Sequence, residues 1–241
     1  MNIFLLREKV SYLELPVKGD NACHILTVLK AGVGDVIDVG VQNGPKGKAT
    51  LQEITKIHLK LSLKWNDPHP CDLYPVSLVV GMARPQTCRK ILGQASAMGV
   101  SRIDFFMSEK SELSYRNSRL WKTNEWEEKI FNGVEQAFST FLPQCKIWTD
   151  LKDCINDQPS DSKALALDNY ESSYTLNHLQ PEDQSPYYTI AIGAERGWSN
   201  SERELLRDQA FTLVSLGPRV LRQETAVVVA LGQVLSKFWN V

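Results

Sequence analysis

At 241 residues, 43% hydrophobic and 23% charged, the chain has the makeup of a globular protein and room for one large domain or two small ones. Its 27 basic and 28 acidic side chains give a net charge of −1, which argues against a nonspecific nucleic-acid coat and leaves a local basic groove open. No apolar run reaches the roughly 20 residues that cross a bilayer, and the start, Met1 to Glu8, lacks the basic opening and long apolar stretch of a signal peptide. No membrane association and a cytoplasmic location are therefore expected.

Residues 1–70 carry short apolar alternations broken by turn signals: Val17-Lys18-Gly19-Asp20, Ala31-Gly32-Val33-Gly34-Asp35 and Asn43-Gly44-Pro45-Lys46-Gly47-Lys48. Val36–Val39 and Ala49–Ile54 read as strands and Ala22–Lys30 as one short helix, and this spacing predicts a small β-barrel. Asn66–Asp72 reads as a linker. From residue 75 to 241 strands and helices alternate. Strand Val76–Met82 leads to a helix, Arg89–Met98, stopped at Gly99. Strand Arg102–Met107 precedes a helix, Asn124–Phe138, with Asn124 and Glu127 at capping-box spacing. Strands follow at Lys146–Trp148, Ala164–Leu167, Tyr187–Ile192 and Phe211–Leu216. Ser199 and Glu202 form a second capping-box pair before Leu205-Leu206, and Gln223–Phe238 closes the chain as a helix. The polar stretch 169–186 reads as a loop. Such alternation predicts an α/β fold, a parallel sheet with helices on both faces.

The five cysteines, Cys23, Cys71, Cys88, Cys145 and Cys154, are scattered, odd in number and without a Cys-x-x-Cys pair. They read as reduced packing residues, with no disulfide framework and no structural zinc. The histidines, His24, His58, His69 and His178, have no ligand spacing, so no metal site is expected. There is no Gly-x-Gly-x-x-Gly, Walker A loop, His-Glu-x-x-His or Gly-x-Ser-x-Gly elbow. The informative region is the last quarter. Two strand-like runs there end in glycine turns, Ile192-Gly193-Ala194-Glu195-Arg196-Gly197-Trp198-Ser199 and Leu216-Gly217-Pro218-Arg219-Val220-Leu221-Arg222-Gln223-Glu224-Thr225-Ala226, and each turn opens a helix. Ligands gather outside the carboxyl ends of strands in open α/β sheets, so the two turns point to one composite pocket.

These residues resemble the ribosomal small-subunit RNA methyltransferase E family, 16S rRNA (uracil-N3)-methyltransferases of the SPOUT superfamily. The family pattern is close to Gly-Pro-Glu-Gly-Gly-Phe-Ser-x-x-Glu followed by Leu-Gly-x-Arg-Ile-Leu-Arg-x-Glu-Thr-Ala. The chain matches the second almost throughout, Leu216 to Ala226, and the first at Gly193, Glu195, Gly197, Ser199 and Glu202. Ala97-Met98-Gly99-Val100, Glu135-Gln136 with Leu142-Pro143, and His24, Leu26, Leu29 and Gly34-Asp35 extend the likeness over nearly the whole chain. It departs at Ala194 for proline, Arg196 for glycine, and Ala137, Ser139 and Lys110 for a serine and two arginines.

The resemblance implies a PUA-like β-barrel over 1–70 that binds RNA. It also implies a SPOUT α/β methyltransferase domain over 75–241 with a deep trefoil knot, S-adenosylmethionine as methyl donor, and a homodimer. The partner is 16S rRNA or the small ribosomal subunit. Leu167, Ile192, Gly193, Glu195, Gly197, Leu216, Gly217, Pro218, Leu221, Arg222, Thr225 and Ala226 are the implied donor-binding residues. Gly193 and Gly217 let the backbone approach the ligand, and Leu216 and Leu221 pack the adenine. Arg222 is the candidate cation and Glu224 the candidate carboxylate for removing the uridine N3 proton and stabilising the anion. Those two can instead pair with each other or brace the dimer. RNA-contact candidates are Arg7, Lys18, His24, Lys30, Lys46 and Lys48 in the barrel, with Asn43–Lys48 as a basic tip, and Arg84 and Lys90 in the second part. Methylation of another RNA atom, such as a ribose 2′-oxygen, and a non-catalytic knotted assembly factor are the alternatives.

Overall fold

Leu59, Leu61 and Leu63 alternate with Lys60, Ser62 and Lys64, and a strand has a side-chain period of two, so one face of this segment must be buried. The computed structural model, which describes residues 3–178 and 186–239, turns the three leucines inward against Ala49, Leu51 and Val39. The strands of this first unit are β1 (Phe4–Leu6), β2 (Tyr12–Pro16), β3 (Val36–Val41), β4 (Lys46–Ile54) and β5 (His58–Trp65). They form one sheet in the order β1-β3-β4-β5-β2, antiparallel except for the β1–β3 pair. Helix α1 (Asp20–Cys23) continues into a π turn, His24–Val28, and buries Ala22 and Ile25 against the sheet.

The helix expected over Ala22–Lys30 thus starts slightly earlier, at Asp20, and ends at Val28, ahead of Lys30, whose φ of 52° is outside the helical region. The expected basic tip is also redrawn. Lys46 and Lys48 lie within β4, paired with Gly40 and Asp38. Lys48 forms an ion pair with Asp38, and Lys46 sits over the Phe138 ring. The turn itself is made by Asn43, at φ 52°, and Gly44.

This unit comprises Met1–Asp72 and also Val134–Leu142, a segment far along the chain that sequence patterning does not assign to it. Glu135 accepts from Leu5 N–H at 2.9 Å through its side chain and from Ile3 N–H through its carbonyl. Asn43 Oδ1 accepts from Leu142 N–H, and Thr140 donates its hydroxyl to the Gly44 carbonyl at 2.7 Å.

The second unit is Leu73–Gly133 with Pro143–Val241. Its strands are β6 (Tyr74–Gly81), β7 (Val100–Phe106), β8 (Gln144–Trp148), β9 (Lys163–Leu167), β10 (Tyr174–Thr175), β11 (Tyr188–Ile192) and β12 (Thr212–Ser215). All pairs are parallel and the order is β10-β12-β9-β11-β6-β7-β8. Every residue of β11 is buried and β6 is buried from Val76 onward, as expected of central parallel strands covered on both faces. The helices are α2 (Pro85–Ala97), α3 (Leu113–Arg116), α4 (Arg119–Lys122), α5 (Glu125–Gln136), α6 (Leu151–Asn156), α7 (Asn200–Asp208) and α8 (Gln223–Leu235).

Local chemistry sets several ends. Pro85 occupies the first turn of α2, ahead of the expected start, and Gly99 at φ 77° lets the chain turn into β7. Ser199 and Glu202 make the full capping box on α7. At α5 the expected Asn124–Glu127 pair is replaced by Thr123, whose hydroxyl accepts from Glu125 N–H. The stretch 169–186 is not all loop, because Tyr174–Thr175 adds an edge strand to β12 and Leu176 is buried behind it. The rest of that stretch, 179–185, lies outside the described residues.

Candidate active site

Strands β12, β9 and β11 are neighbours in the sheet and end side by side at Ser215, Leu167 and Ile192. The segments that leave them line a cavity of about 860 Å³, part of it open to solvent. Its wall is formed by Leu167–Tyr170, Ile192–Trp198, Arg203, Leu216, Arg219–Leu221, Gln223 and Ala226. This is the place where open α/β sheets bind ligands.

The turn after β11 is held from several sides. Gly197 N–H donates to the Ala194 carbonyl at 2.7 Å, and Gly197 has φ 70°, a conformation that disfavours a side chain. Trp198 is buried, stacks on Phe106 with the rings within 4° of parallel, and donates its indole N–H to the Leu167 carbonyl at 2.7 Å. The turn after β11 is thereby tied to the end of β9. Lys110 donates to the Trp198 carbonyl at 2.7 Å and to the Arg196 carbonyl at 3.3 Å. A Cβ on Gly193 would come within 3.1 Å of Trp198 Cδ2 and Gly197 C, so close packing of the turn favours glycine there.

Across the cavity, Asp168 accepts from Tyr170 and Glu171 N–H and from Arg203 Nε, with both charged side chains nearly inaccessible. Burial acts to raise the Asp168 pKa, but the Arg203 hydrogen bond and the two backbone N–H groups prevail and hold it below the ordinary value. Gln223, the first residue of α8, donates Nε2 to the carbonyls of Gly193 at 2.7 Å and Gly81 at 2.8 Å.

A second groove, of about 1,120 Å³ including its open side, shares Glu195, Val220, Leu221 and Gln223 with the cavity. Arg84, Gln86, Thr87 and Lys90 from the start of α2 and Arg222 and Glu224 from the start of α8 complete it. Lys90 and Glu224 are paired at 3.0 Å. Glu224 lies below its ordinary pKa, chiefly through its own backbone N–H, with burial opposing and Lys90 helping.

Of the donor-binding candidates, Leu167, Ile192, Gly193, Glu195, Gly197, Leu216, Leu221 and Ala226 line the cavity. Gly217, Pro218 and Thr225 do not, and Arg222 lines the groove instead, as does Glu224. Gly217 has φ 115° with nothing within 4 Å of a would-be Cβ, so its role is in the bend of the chain and not in making room. Arg84 and Lys90 are brought together with Arg222 in the groove. Arg7, Lys18, His24, Lys30, Lys46 and Lys48 belong to the first unit. Asp168, Trp198, Arg203 and Gln223 were not singled out from sequence. Gln223 follows the glycine turn after β12, the one sequence signal that points to it, whereas no glycine marks the segment that begins at Asp168.

A model of the RNA methyltransferase domain matches residues 69–235, and a model of the RNA methyltransferase PUA domain matches residues 17–64. Ribosomal RNA small subunit methyltransferase E of Treponema pallidum is 33% identical over 98% of this chain and 91% of its own length. The chain belongs to the ribosomal RNA small subunit methyltransferase E family. Another member, methyltransferase E 1 of Borreliella burgdorferi, is 27% identical over the full length of both chains. A crystal structure of methyltransferase E from Neisseria gonorrhoeae bound to S-adenosyl methionine shares the fold, with TM-score 0.79, 22% identity and 99% and 98% of the two chains covered. A putative methyltransferase from Legionella pneumophila in complex with the same cofactor gives TM-score 0.79 at 20% identity over 97% and 96%. The two units of this methyltransferase E family member are thus a PUA-like β-sheet and a SPOUT-like parallel α/β domain. Among the described residues no helix is long and apolar enough to cross a membrane, and no three His, Cys, Asp or Glu side chains gather to hold a metal.

Proposed function

We infer that the protein methylates N3 of a uridine in 16S rRNA, free or within the small ribosomal subunit, using S-adenosylmethionine. The observation that carries this reading is the cavity at the ends of β9, β11 and β12 together with the charged groove that opens from it. The cavity is a partly open cleft at the strand ends, the place where such sheets take ligands. It also fits the donor chemically. Ile192, Leu216, Leu221 and Ala226 offer apolar wall. Gln223 Oε1 is buried without a hydrogen-bond partner among the described residues, an acceptor at the cavity wall.

When bound, the sulfonium supplies an electrophilic methyl group. The rest falls to the chain. The apolar wall residues and the turn after β11 would hold and orient the donor. Arg222 lines the groove and no described residue holds its guanidinium in an ion pair, which suits it to stabilise the uridine anion. Glu224 is engaged by Lys90 and stays charged, which suits it to anchor that lysine more than to take a proton. Arg84, Lys90 and Arg222 are the second unit's RNA contacts, and the exposed Arg7, Lys18, Lys30 and Lys48, with His24 and Lys46, are those of the PUA-like unit.

The trefoil knot belongs to the same reading. Gln223 follows β12, yet it reaches the end of β6, three positions away in the order β12-β9-β11-β6, and α8 then packs on α2. That return path is what a threaded C-terminus requires. A homodimer rests on the family alone, and a cytoplasmic location on the lack of a signal-peptide pattern and of a membrane-spanning apolar run in the sequence. Calorimetry should show the donor binding, and nucleoside mass spectrometry of 16S rRNA from a deletion strain should show loss of N3-methyluridine. Unchanged N3-methyluridine sinks the reading, and a monomer mass in ultracentrifugation sinks the dimer.

A further inference from the structure

Methylation at N3 has a geometric difficulty. The N3–H bond lies in the plane of the base, along the direction in which the methyl group must approach. The proton therefore has to leave first, to an acceptor that reaches the base from the groove while the methyl donor occupies the cavity. Such an acceptor must border both spaces.

Two carboxylates border the groove, Glu195 and Glu224. Glu224 does not border the cavity, its side chain is 13% exposed, and Lys90 holds it at 3.0 Å. Glu195 borders the cavity, the groove and a third, smaller recess behind Met82 and Ser111. Its side chain is 34% exposed, which leaves it open to an incoming base. It is oriented but not saturated. Thr87 donates its hydroxyl to Oε1 at 3.3 Å, and Arg84 Nε stands 3.6 Å from Oε2, too far for a hydrogen bond. Both partners come from the first turn of α2, whose N-terminal dipole also favours an anion there.

Resting on the function proposed above, we propose that Glu195 is the catalytic base and reads the uracil imide. Its carboxylate forms an O–H bond to the N3 proton. The N3 electron pair then forms the N–C bond to the methyl carbon as the C–S bond breaks, and that pair stays on sulfur. The proton leaves Glu195 to solvent. The other charged groups sharing its recesses are Arg84 and Lys90 at the start of α2, Lys110 and Glu112 after β7, its neighbour Arg196, Asp168 after β9, Arg203 on α7, Arg219 after β12, and Arg222 and Glu224 at the start of α8. The cations among them face an anion developing on the base. Selectivity follows, because cytosine has an unprotonated N3 and meets a carboxylate with no hydrogen to share.

The test compares wild type with E195Q and E195A. At saturating donor, the single-turnover rate of E195Q on 16S rRNA should fall by about 10²–10⁴, the contribution of a positioned base. Its rate should climb with pH where the wild-type rate is flat. On transcripts made with 5-fluorouridine, whose N3–H is more acidic, the E195Q defect should shrink. Without donor, NMR titration of the wild type should show uridine 5′-monophosphate binding about tenfold more tightly than its N3-methyl form, a preference E195A should lose. Wild-type rates in E195Q, an equal defect on both RNAs, or retained discrimination by E195A overturns the assignment while the methyltransferase reading stands. A wild type that binds no donor overturns both.

Discussion

The side-chain amide of Gln223 donates to the Gly193 carbonyl at 2.7 Å, locking the first residue of α8 onto the end of β11. The same nitrogen serves the Gly81 carbonyl, so one buried amide staples β6, β11 and α8 together beneath the cavity. Replacing Gln223 with leucine keeps most of the bulk and leaves both carbonyls without that donor. Unsatisfied buried groups cost about 1–3 kcal/mol each. Q223L should therefore lower stability by about 2 kcal/mol or more in urea unfolding and weaken donor binding in calorimetry. An unchanged midpoint would show that the staple carries no energy.

Glycines at the site separate into two kinds, and substitution should tell them apart. A Cβ on Gly81 would stand 2.5 Å from Ala194 N and 2.9 Å from Gly193 C, both backbone atoms that cannot swing aside. G81A should push the turn after β11 out of place and reduce donor affinity at least tenfold. Gly217 has open space around it but φ 115°. G217A should cost about 1–3 kcal/mol of backbone strain with a smaller effect on affinity than G81A. The opposite ranking in calorimetry contradicts this division.

Thiol reactivity should follow burial. Cys23 and Cys71 are exposed, whereas burial pushes the Cys88 thiol up to about 12 and raises Cys145 and Cys154 further. At neutral pH in the native state, an alkylating reagent should label Cys23 and Cys71 rapidly, and Cys88, Cys145 and Cys154 only after denaturant is added. Rapid native labelling of Cys88, located by peptide mass mapping, would mean that α2 opens readily.

Much of the fold is legible because the central strands of the second unit, such as β6 and β11, are mostly apolar, and β5 of the first unit alternates at Leu59, Leu61 and Leu63. The glycine turns after β11 and β12 likewise show where the cavity lies. Edge strand β10 is invisible because Tyr174–Thr175 is two residues long and held mainly by pairing to β12. The joining of Val134–Leu142 to the first unit depends on hydrogen bonds such as Leu5 N–H to Glu135, which join residues 130 positions apart and leave no local periodicity. Lys46 and Lys48 illustrate a different miss. Glycine and proline beside them suggested a loop tip, yet the turn closes before them and the strand takes both. At the site, Gln223 and Arg203 matter through partners on other strands, which only the sheet order brings near.

The Asp168–Arg203 pair gives the cavity wall an acid limit. Asp168 sits below its ordinary value of 3.8 because Arg203 and two backbone N–H groups outweigh its burial. A carboxylate with a depressed folded pKa contributes stability that is complete above its unfolded value and is lost as pH falls through the folded one. The wild type should thus lose stability progressively below about pH 4, and D168N should show a flatter acid limb. At neutral pH D168N should be less stable by about 3 kcal/mol, because Arg203 keeps its charge in a buried place. The loss should stay at the low end of what breaking a buried pair costs, since Glu171 Oε1 remains 3.6 Å from Arg203 Nε. Urea midpoints measured from pH 7 to pH 3 check both points. Parallel curves for the two proteins would mean that Asp168 titrates in the folded chain as it does unfolded, and that the Arg203 hydrogen bond exerts no pull.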